Sequence, residues 1–309
     1  MEIIDRERLA RLLNLDDYLA AVEAALRAHG EGRTNMPLPL HIPVDGGGFH
    51  AKGALVDKYV AVKVNSNFPG NPARGLPTIQ GAVLLYDAAD GRLLAILDSI
   101  EITSKRTAAA SALAARHLAR SDARCVAILG CGEQGRAQLA ALWAARPIER
   151  AYAWDGVPQR AREFAAQMAD ALDIDVTPVD TLREATSAGD IIVTATSSTV
   201  PFLSLADVRP GTFIAAVGAD SPHKSELHAD CFAGTKVVVD TFDQASTMGD
   251  LHHAPRKTFY AELAEVVTGR KPGRTNDTEI TIFDSTGLAI QDVASAAVAY
   301  ERFIEGSKT

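Results

Sequence analysis

Alternating apolar runs and helical patterns from about residue 121 predict an α/β protein built on a parallel, doubly wound sheet. Two further observations carry that reading. The run Cys125-Val-Ala-Ile-Leu129 feeds a complete G-x-G-x-x-G turn at Gly130, Gly132 and Gly135, followed by a helical pattern. The next run, Ala151-Tyr-Ala-Trp-Asp155, ends in an acid 20 residues after Gly135. In such a unit the first glycine allows the tight turn, the second lets the backbone approach a pyrophosphate, and the third lets helix and sheet pack closely. The helix N-terminus supplies free N–H groups to phosphates, and the acid accepts from an adenosine ribose. This segment is therefore read as a dinucleotide site.

The elements follow in order. Residues about 5–31 carry two short helical patterns, with Asn14 as N-cap of the second and Asp16 and Asp17 in its first turn. Residues about 36–101 read as strands and turns. Phe49 to Leu55, Tyr59 to Asn65 and Gly81 to Tyr86 are strand candidates, and Asp90-Gly91 marks a hairpin. Thr103 is read as the cap of an alanine-rich helix running to about Arg120. Strands are then expected at 125–129, 151–155, 190–195, 213–218, 236–240 and 279–283, with helices at 135–145, 158–171 and 259–267. A final helix over about 288–306 is expected to return to the first domain, which must bury one face of its sheet. The expected division is 1–120 with 288–309, and 121–287.

Composition removes several function classes. Apolar residues make up 47 % and charged residues 23 % of the chain, as in ordinary globular proteins. A net charge of −8 argues against nucleic acid or an anionic membrane as partner. Cys125, Cys131 and Cys231 are odd in number and lack metal-ligand spacing, so neither a disulfide framework nor a metal site is expected. The N-terminus lacks a basic-then-apolar signal pattern, and no apolar run reaches spanning length, so a cytoplasmic protein is expected.

Few residues remain that could do chemistry. Strand alternation puts His50 and Lys52 on one face, and Lys63 with Ala61 and Asn65 opposite Val60, Val62 and Val64. For Lys63 alone, the solvated face of an antiparallel sheet is the favoured reading of the pattern. Lys105 and Arg106 sit in the first turn if Thr103 is the cap, where the helix dipole disfavours cations and an anionic ligand would compensate. Asp220 follows the strand ending at Gly218, at the edge where such sheets bind ligands. It could hand a proton to a reacting group, or be a turn acid before a short helix capped by Ser221 with Pro222 at its first position. His252 and His253 are read as surface residues.

Taken together, these segments resemble the ornithine cyclodeaminase/mu-crystallin family. They are Val62-Lys63-Val64-Asn65 with Pro69-Gly-Asn71, Gly75-Leu-Pro-Thr78, Thr103-Ser-Lys-Arg106-Thr107, the glycine loop, Val217-Gly-Ala-Asp220-Ser-Pro-His-Lys224-Ser-Glu-Leu, and Asp284-Ser285-Thr286-Gly287. The resemblance implies a Rossmann-like domain plus a split α+β substrate-binding domain that dimerises through its sheet. It implies Lys63 and Arg106 as ligands of a substrate carboxylate, with Thr286 nearby. Asp220 would be the acid/base at the reacting nitrogen, and Lys63 and Asp220 are the catalytic candidates. Thr78, Thr107, Gly130, Gly132, Glu133, Gln134, Gly135, Asp155, Thr196, Val217, Gly218, Lys224 and Ser285 would surround the dinucleotide.

Members of that family either cyclise ornithine or lysine with loss of ammonia on bound NAD, or reduce imines of 2-oxo acids. The ornithine-cyclising members have an arginine near the position of Pro39 and a glutamate where His50-Ala-Lys52-Gly53 stands here. Losing an acid and gaining His50 and Lys52 suits an anionic substrate better than a diamine. The leading expectation is an NAD-dependent imine reductase or amino-acid dehydrogenase acting on a small amino or imino acid as a homodimer. Lys52 hints at a second substrate carboxylate. Asp155 favours NAD, while Arg160 leaves room for NADP. The alternatives are an ornithine or lysine cyclodeaminase with tightly bound NAD, and a non-catalytic binding protein of the mu-crystallin type.

Overall fold

The computed structural model describes residues 1–306, Pro72 by its backbone alone. The chain divides into two compact units. One is Met1–Arg106 with the residues from Leu288 onward, and the other is Thr107–Gly287.

The first unit opens with β1 (Glu2–Ile4), α1 (Arg6–Leu12) and α2 (Leu15–Gly30). Asn14 caps α2 in a reciprocal capping box with Asp17, as expected. Strands β2 (Thr34–Asn35), β3 (Leu40–Val44), β4 (Gly47–Val56), β5 (Tyr59–Asn67), β6 (Ile79–Asp87) and β7 (Leu93–Asp98) follow. The sheet runs β1-β7-β6-β5-β4-β2, with β3 paired on β4. β1 joins it in parallel beside β7, a strand the N-terminal sequence did not advertise. Helix α3 (Ser99–Leu118) begins four residues earlier than its expected cap, because the Asp98 carboxylate accepts from the backbone N–H groups of Ile100 and Glu101. The unit boundary falls within α3, between Arg106 and Thr107.

The second unit holds β8 (Cys125–Leu129), α4 (Glu133–Ala145), β9 (Arg150–Trp154), α5 (Pro158–Leu172), β10 (Asp175–Pro178), α6 (Leu182–Ala188), β11 (Ile191–Thr194), β12 (Phe213–Ala216), β13 (Lys236–Val239), α7 (Phe242–Ala245), β14 (Ala261–Glu262), α8 (Leu263–Val267) and β15 (Thr281–Asp284). The sheet is parallel throughout, in the order β10-β9-β8-β11-β12-β15-β13-β14. β8 is first in sequence yet lies inside the sheet, with β9 on one side and β11 on the other. That is a topological switch point, where a crevice opens at the carboxyl ends of the strands. Both faces are covered, so β8, β11 and β12 are buried along their whole length. The expected helix over 259–267 shortens to α8, because Ala261 and Glu262 pair with β13. The expected helix start at Ser221 is not formed; the segment is turns and irregular backbone.

Last comes α9 (Ala289–Gly306), which packs in the first unit on α2, β4 and β5. Its covering of the sheet reverses the simple reading of β5. The Lys63 face is the buried one, shared with Ala61, Val83 and Leu85. The valine face is the open one, with Val64 38 % exposed. No helix among the described residues is long and apolar enough to cross a membrane.

Candidate active site

In the first unit the antiparallel register sets Lys52 directly opposite Lys63 on the face covered by α9. Asp292, in the first turn of α9, meets them there. Its Oδ1 accepts from Lys63 Nζ at 2.9 Å and from Arg106 Nε at 2.9 Å. Lys52 Nζ lies 3.9 Å from Oδ2. Arg106 also donates to Gln291 Oε1, and Lys63 to Thr103 Oγ1. Lys63, Arg106 and Asp292 are all buried. Burial alone would raise the Asp292 carboxyl, but Arg106, Lys63 and Lys52 hold it well below the usual carboxylate range. Burial pushes the Lys63 ammonium well below its usual range, against the pull of Asp292. Arg106 and Lys52 still set two basic groups against one carboxylate, so the cluster suits a further anion. With Asp98 as cap, Arg106 lies in the second turn of α3, beyond the first turn where the helix dipole disfavours a cation; Asp292 and Gln291 are what hold it.

Asp292 and Gln291 were missed in the sequence, although a signal existed. Asp292 stands among Ala289, Ile290, Val293 and Ala296, on the apolar spacing that must face a core. An acid at such a position needs a cationic partner. His50, two residues from Lys52, is exposed and sets its ring 4.3 Å from that of His41. Thr78 is half-buried on the segment entering β6.

In the second unit the candidate residues gather at the carboxyl ends of five adjacent strands. Asp155 follows β9, Gly130 follows β8, Thr196 follows β11, Val217 and Gly218 follow β12, and Ser285 follows β15. Gly130 has φ +109, and a side chain there would collide with the Ala195 carbonyl. A Cβ on Gly135 would collide with the Gly130 carbonyl, which is the close helix–strand approach expected of the third glycine. Gly132 is the N-cap of α4, has open space where a Cβ would stand, and leaves the helix without a side-chain cap. The Asp155 carboxylate accepts from Cys131 N and Val157 N, which fixes it beside the glycine turn. An open second glycine, an uncapped helix start and an anchored acid fit the pyrophosphate and ribose of a dinucleotide. Cys131 is no nucleophile here: burial, with Asp155 adding, pushes its thiol up to about 12.

Asp220 is exposed and pairs with Lys224 at 2.7 Å. Thr286 Oγ1 accepts from Gln244 Nε2, and the 285–287 turn is held by Asp240, which accepts from Ser285 Oγ, Thr286 N and Gly287 N. Thr107 is buried in α3. Glu133 is exposed and Gln134 half-buried at the start of α4.

A switch-point crevice with this glycine turn defines a Rossmann-type dinucleotide-binding architecture. The chain belongs to the ornithine cyclodeaminase/mu-crystallin family, whose model matches residues 2–307. It is 37 % identical to an alanine dehydrogenase of Archaeoglobus fulgidus over 99 % of this chain and 97 % of the relative. Among solved structures it is similar to an archaeal alanine dehydrogenase dimer with bound NAD (35 % identity, TM-score 0.95, 99 % and 97 % covered). It is also similar to the Delta(1)-pyrroline-2-carboxylate reductase of Thermococcus litoralis in complex with NADH and L-proline (34 % identity, TM-score 0.96, 99 % and 98 % covered).

Proposed function

We propose that this protein is an NAD(P)-dependent oxidoreductase that interconverts a 2-imino acid, free or formed from a 2-oxo acid and an amine, with an L-amino acid. The observation that carries the reading is the pairing of a dinucleotide-type turn with a buried, positively charged cluster in one chain of this family. Similarity to enzymes named alanine dehydrogenase and pyrroline-2-carboxylate reductase supports it. Bound NAD(P)H supplies a hydride. In this reading Lys63 and Arg106 hold the substrate carboxylate through the positive charge that Asp292 leaves unbalanced, and Lys52 extends that field. Asp220 is solvent-accessible, so it can take a proton from water and deliver it to nitrogen, and Lys224 pairs with the carboxylate that remains. Asp155 favours NAD over NADP, because a carboxylate repels a 2′-phosphate.

Assembly and location belong to the same proposal. The outward face of the first sheet carries Leu40, Ile42, Phe49 and Val64, all more than a third exposed. An apolar sheet face of that kind calls for a partner, and a second copy fits a relative solved as a dimer. Three free cysteines suit the reducing cytoplasm.

The test is NADH oxidation with ammonia or methylamine across pyruvate, glyoxylate, oxaloacetate, 2-oxoglutarate and cyclic imines. Ornithine and lysine are assayed separately for ammonia release. Turnover of a 2-oxo or imino acid, reduced by orders of magnitude in Asp220→Asn, is expected. Ammonia release alone would replace the reductase by a cyclodeaminase; NADH binding without turnover would leave a binding protein.

A further inference from the structure

The segment joining β12 to the body of its unit carries Asp220 near its start and Glu226 near its end. Glu226 is fully buried and turns back over the strand ends. Its Oε1 accepts from Thr196 N at 2.5 Å and Thr196 Oγ1 at 2.7 Å. Its Oε2 accepts from Thr194 Oγ1 at 2.6 Å and Gly218 N at 2.9 Å. One carboxylate therefore joins the ends of β11 and β12 and closes the Asp220 loop on its own first residues. Gly218 admits it, since a Cβ there would collide with the Glu226 carboxylate. The Glu226 backbone is fixed in turn, because Asp250 Oδ1 accepts from Glu226 N at 2.6 Å and Leu227 N at 2.9 Å. Asp284, at the end of β15, accepts from Asp250 N and Leu251 N. Each acid of this series holds the backbone that presents the next.

Such an arrangement costs more than a structural loop requires. An apolar side chain would fill the space without desolvating a carboxylate, whose burial is expensive even when it is hydrogen-bonded. What an apolar residue cannot do is fix two backbone N–H groups from different strands at once. We propose that Glu226 is a positioning residue of the active site, a clamp that sets the Asp220 loop and Thr196 for cofactor binding and proton delivery. The proposal rests on the reductase reading for the roles of Asp220 and Thr196, and on the four hydrogen bonds for the clamp.

The chemistry of the clamp demands a carboxylate. Backbone N–H groups address both oxygens, so a glutamine must turn its NH₂ toward one of them. An aspartate, one carbon shorter, cannot span both strands. Burial, and then Asp250, push the Glu226 carboxyl up to about 7. The titratable group that faces it is Asp250, which is itself near Asp284 and is opposed by the His253 ring. As pH falls through about 7, Glu226 gains a proton that Thr194 Oγ1 or Thr196 Oγ1 can accept by reversing its hydroxyl; the neutral carboxyl accepts more weakly from the Thr196 and Gly218 N–H groups, and the clamp loosens.

The experiment compares wild type, Glu226→Gln, Glu226→Asp and Phe213→Leu, the last a buried change at the opposite end of β12. Amide hydrogen exchange is measured over residues 194–198 and 217–227, NADH affinity by fluorescence at pH 6 and pH 8, and kcat and KM separately. Glu226→Gln and Glu226→Asp are expected to speed exchange in both segments, weaken NADH binding at least tenfold and lower kcat. Wild-type affinity should weaken from pH 8 to pH 6, and that of Glu226→Gln should stay flat. Phe213→Leu should lower Tm and leave affinity, kcat and the pH dependence in place. Unchanged exchange, or unchanged affinity and kcat in Glu226→Gln, overturns the proposal, as does the same kinetic loss in Phe213→Leu. If wild type binds no NADH, the reductase reading fails, and exchange alone then judges the clamp.

Discussion

Asp292 shows how one residue prepares a site for a charge it does not itself supply. A single carboxylate oxygen holds Lys63 and Arg106 in place. Two cations brought so close without it would repel strongly in a low dielectric. Removing one partner of a buried ion pair leaves uncompensated charge and costs about 3–5 kcal/mol. Asp292→Asn keeps the shape and removes the charge, so urea unfolding at pH 7 should show a loss of at least about 3 kcal/mol. The sign of the pH dependence follows from the depressed carboxyl. A folded value below the unfolded one, about 3.9, gives stability that is complete above about pH 4 and is lost as pH falls through the folded value. Wild type should therefore lose stability on acidification by more than Asp292→Asn does. Equal acid profiles, or equal stability at pH 7, would show that Lys63 and Arg106 do not depend on this carboxylate.

At the scale of elements, the glycine turn places α4 against β8, and its third glycine is the point of closest approach. Gly135→Ala must push the helix start away from the Gly130 carbonyl. Overpacking of this kind costs about 1–3 kcal/mol, and the displaced N-terminus should lose NADH affinity more than tenfold while leaving the first unit's ion pairs intact. A thermal melt and a fluorescence titration check both; full affinity with a normal melt would mean that α4 does not set the phosphate site. This turn was legible in the sequence because its signal is local: glycine spacing, a strand before and a helix after. The buried β8, β11, β12 and β15 were legible for the same reason, as short apolar runs. What was not legible depends on partners far along the chain. β1 and β14 are three and two residues long and exist only because β7 and β13 stand beside them. The face of β5 that turns inward is decided by α9, more than 200 residues later, so alternation identified two faces without saying which was buried. Asp98 outcompeted Thr103 as the cap of α3, and a Thr-x-x-Arg start carries no reciprocal acid to betray the error. The role of Glu226 is not legible in the sequence, because its partners stand at the ends of two other strands.

At the scale of the whole molecule, the open question is what covers the valine face. Cross-strand register puts Leu40, Ala51, Val64 and Ala82 in one row, and Ile42 beside Phe49 in the next, all on the side away from α9. Leu40 is 57 % exposed and Ile42 49 %. Contiguous apolar surface on a sheet marks an interaction site more often than a solvent boundary. A two-fold contact buries the same patch on both partners, so one substitution acts twice. Val64→Lys with Ile42→Lys sets four ammonium groups into such a contact. Sedimentation velocity should then show a dimer for wild type at micromolar concentration and a monomer for the double variant. Both substituted positions are partly solvent-exposed, so the variant is expected to melt cooperatively and to bind NADH through its second unit. If wild type sediments as a monomer, this face is not a dimer contact. If the double variant remains dimeric with unchanged affinity between copies, the contact lies elsewhere and the open valine row must be explained by another partner. A monomer that binds NADH but turns over no imino acid would mean that catalysis, unlike dinucleotide binding, needs the second copy.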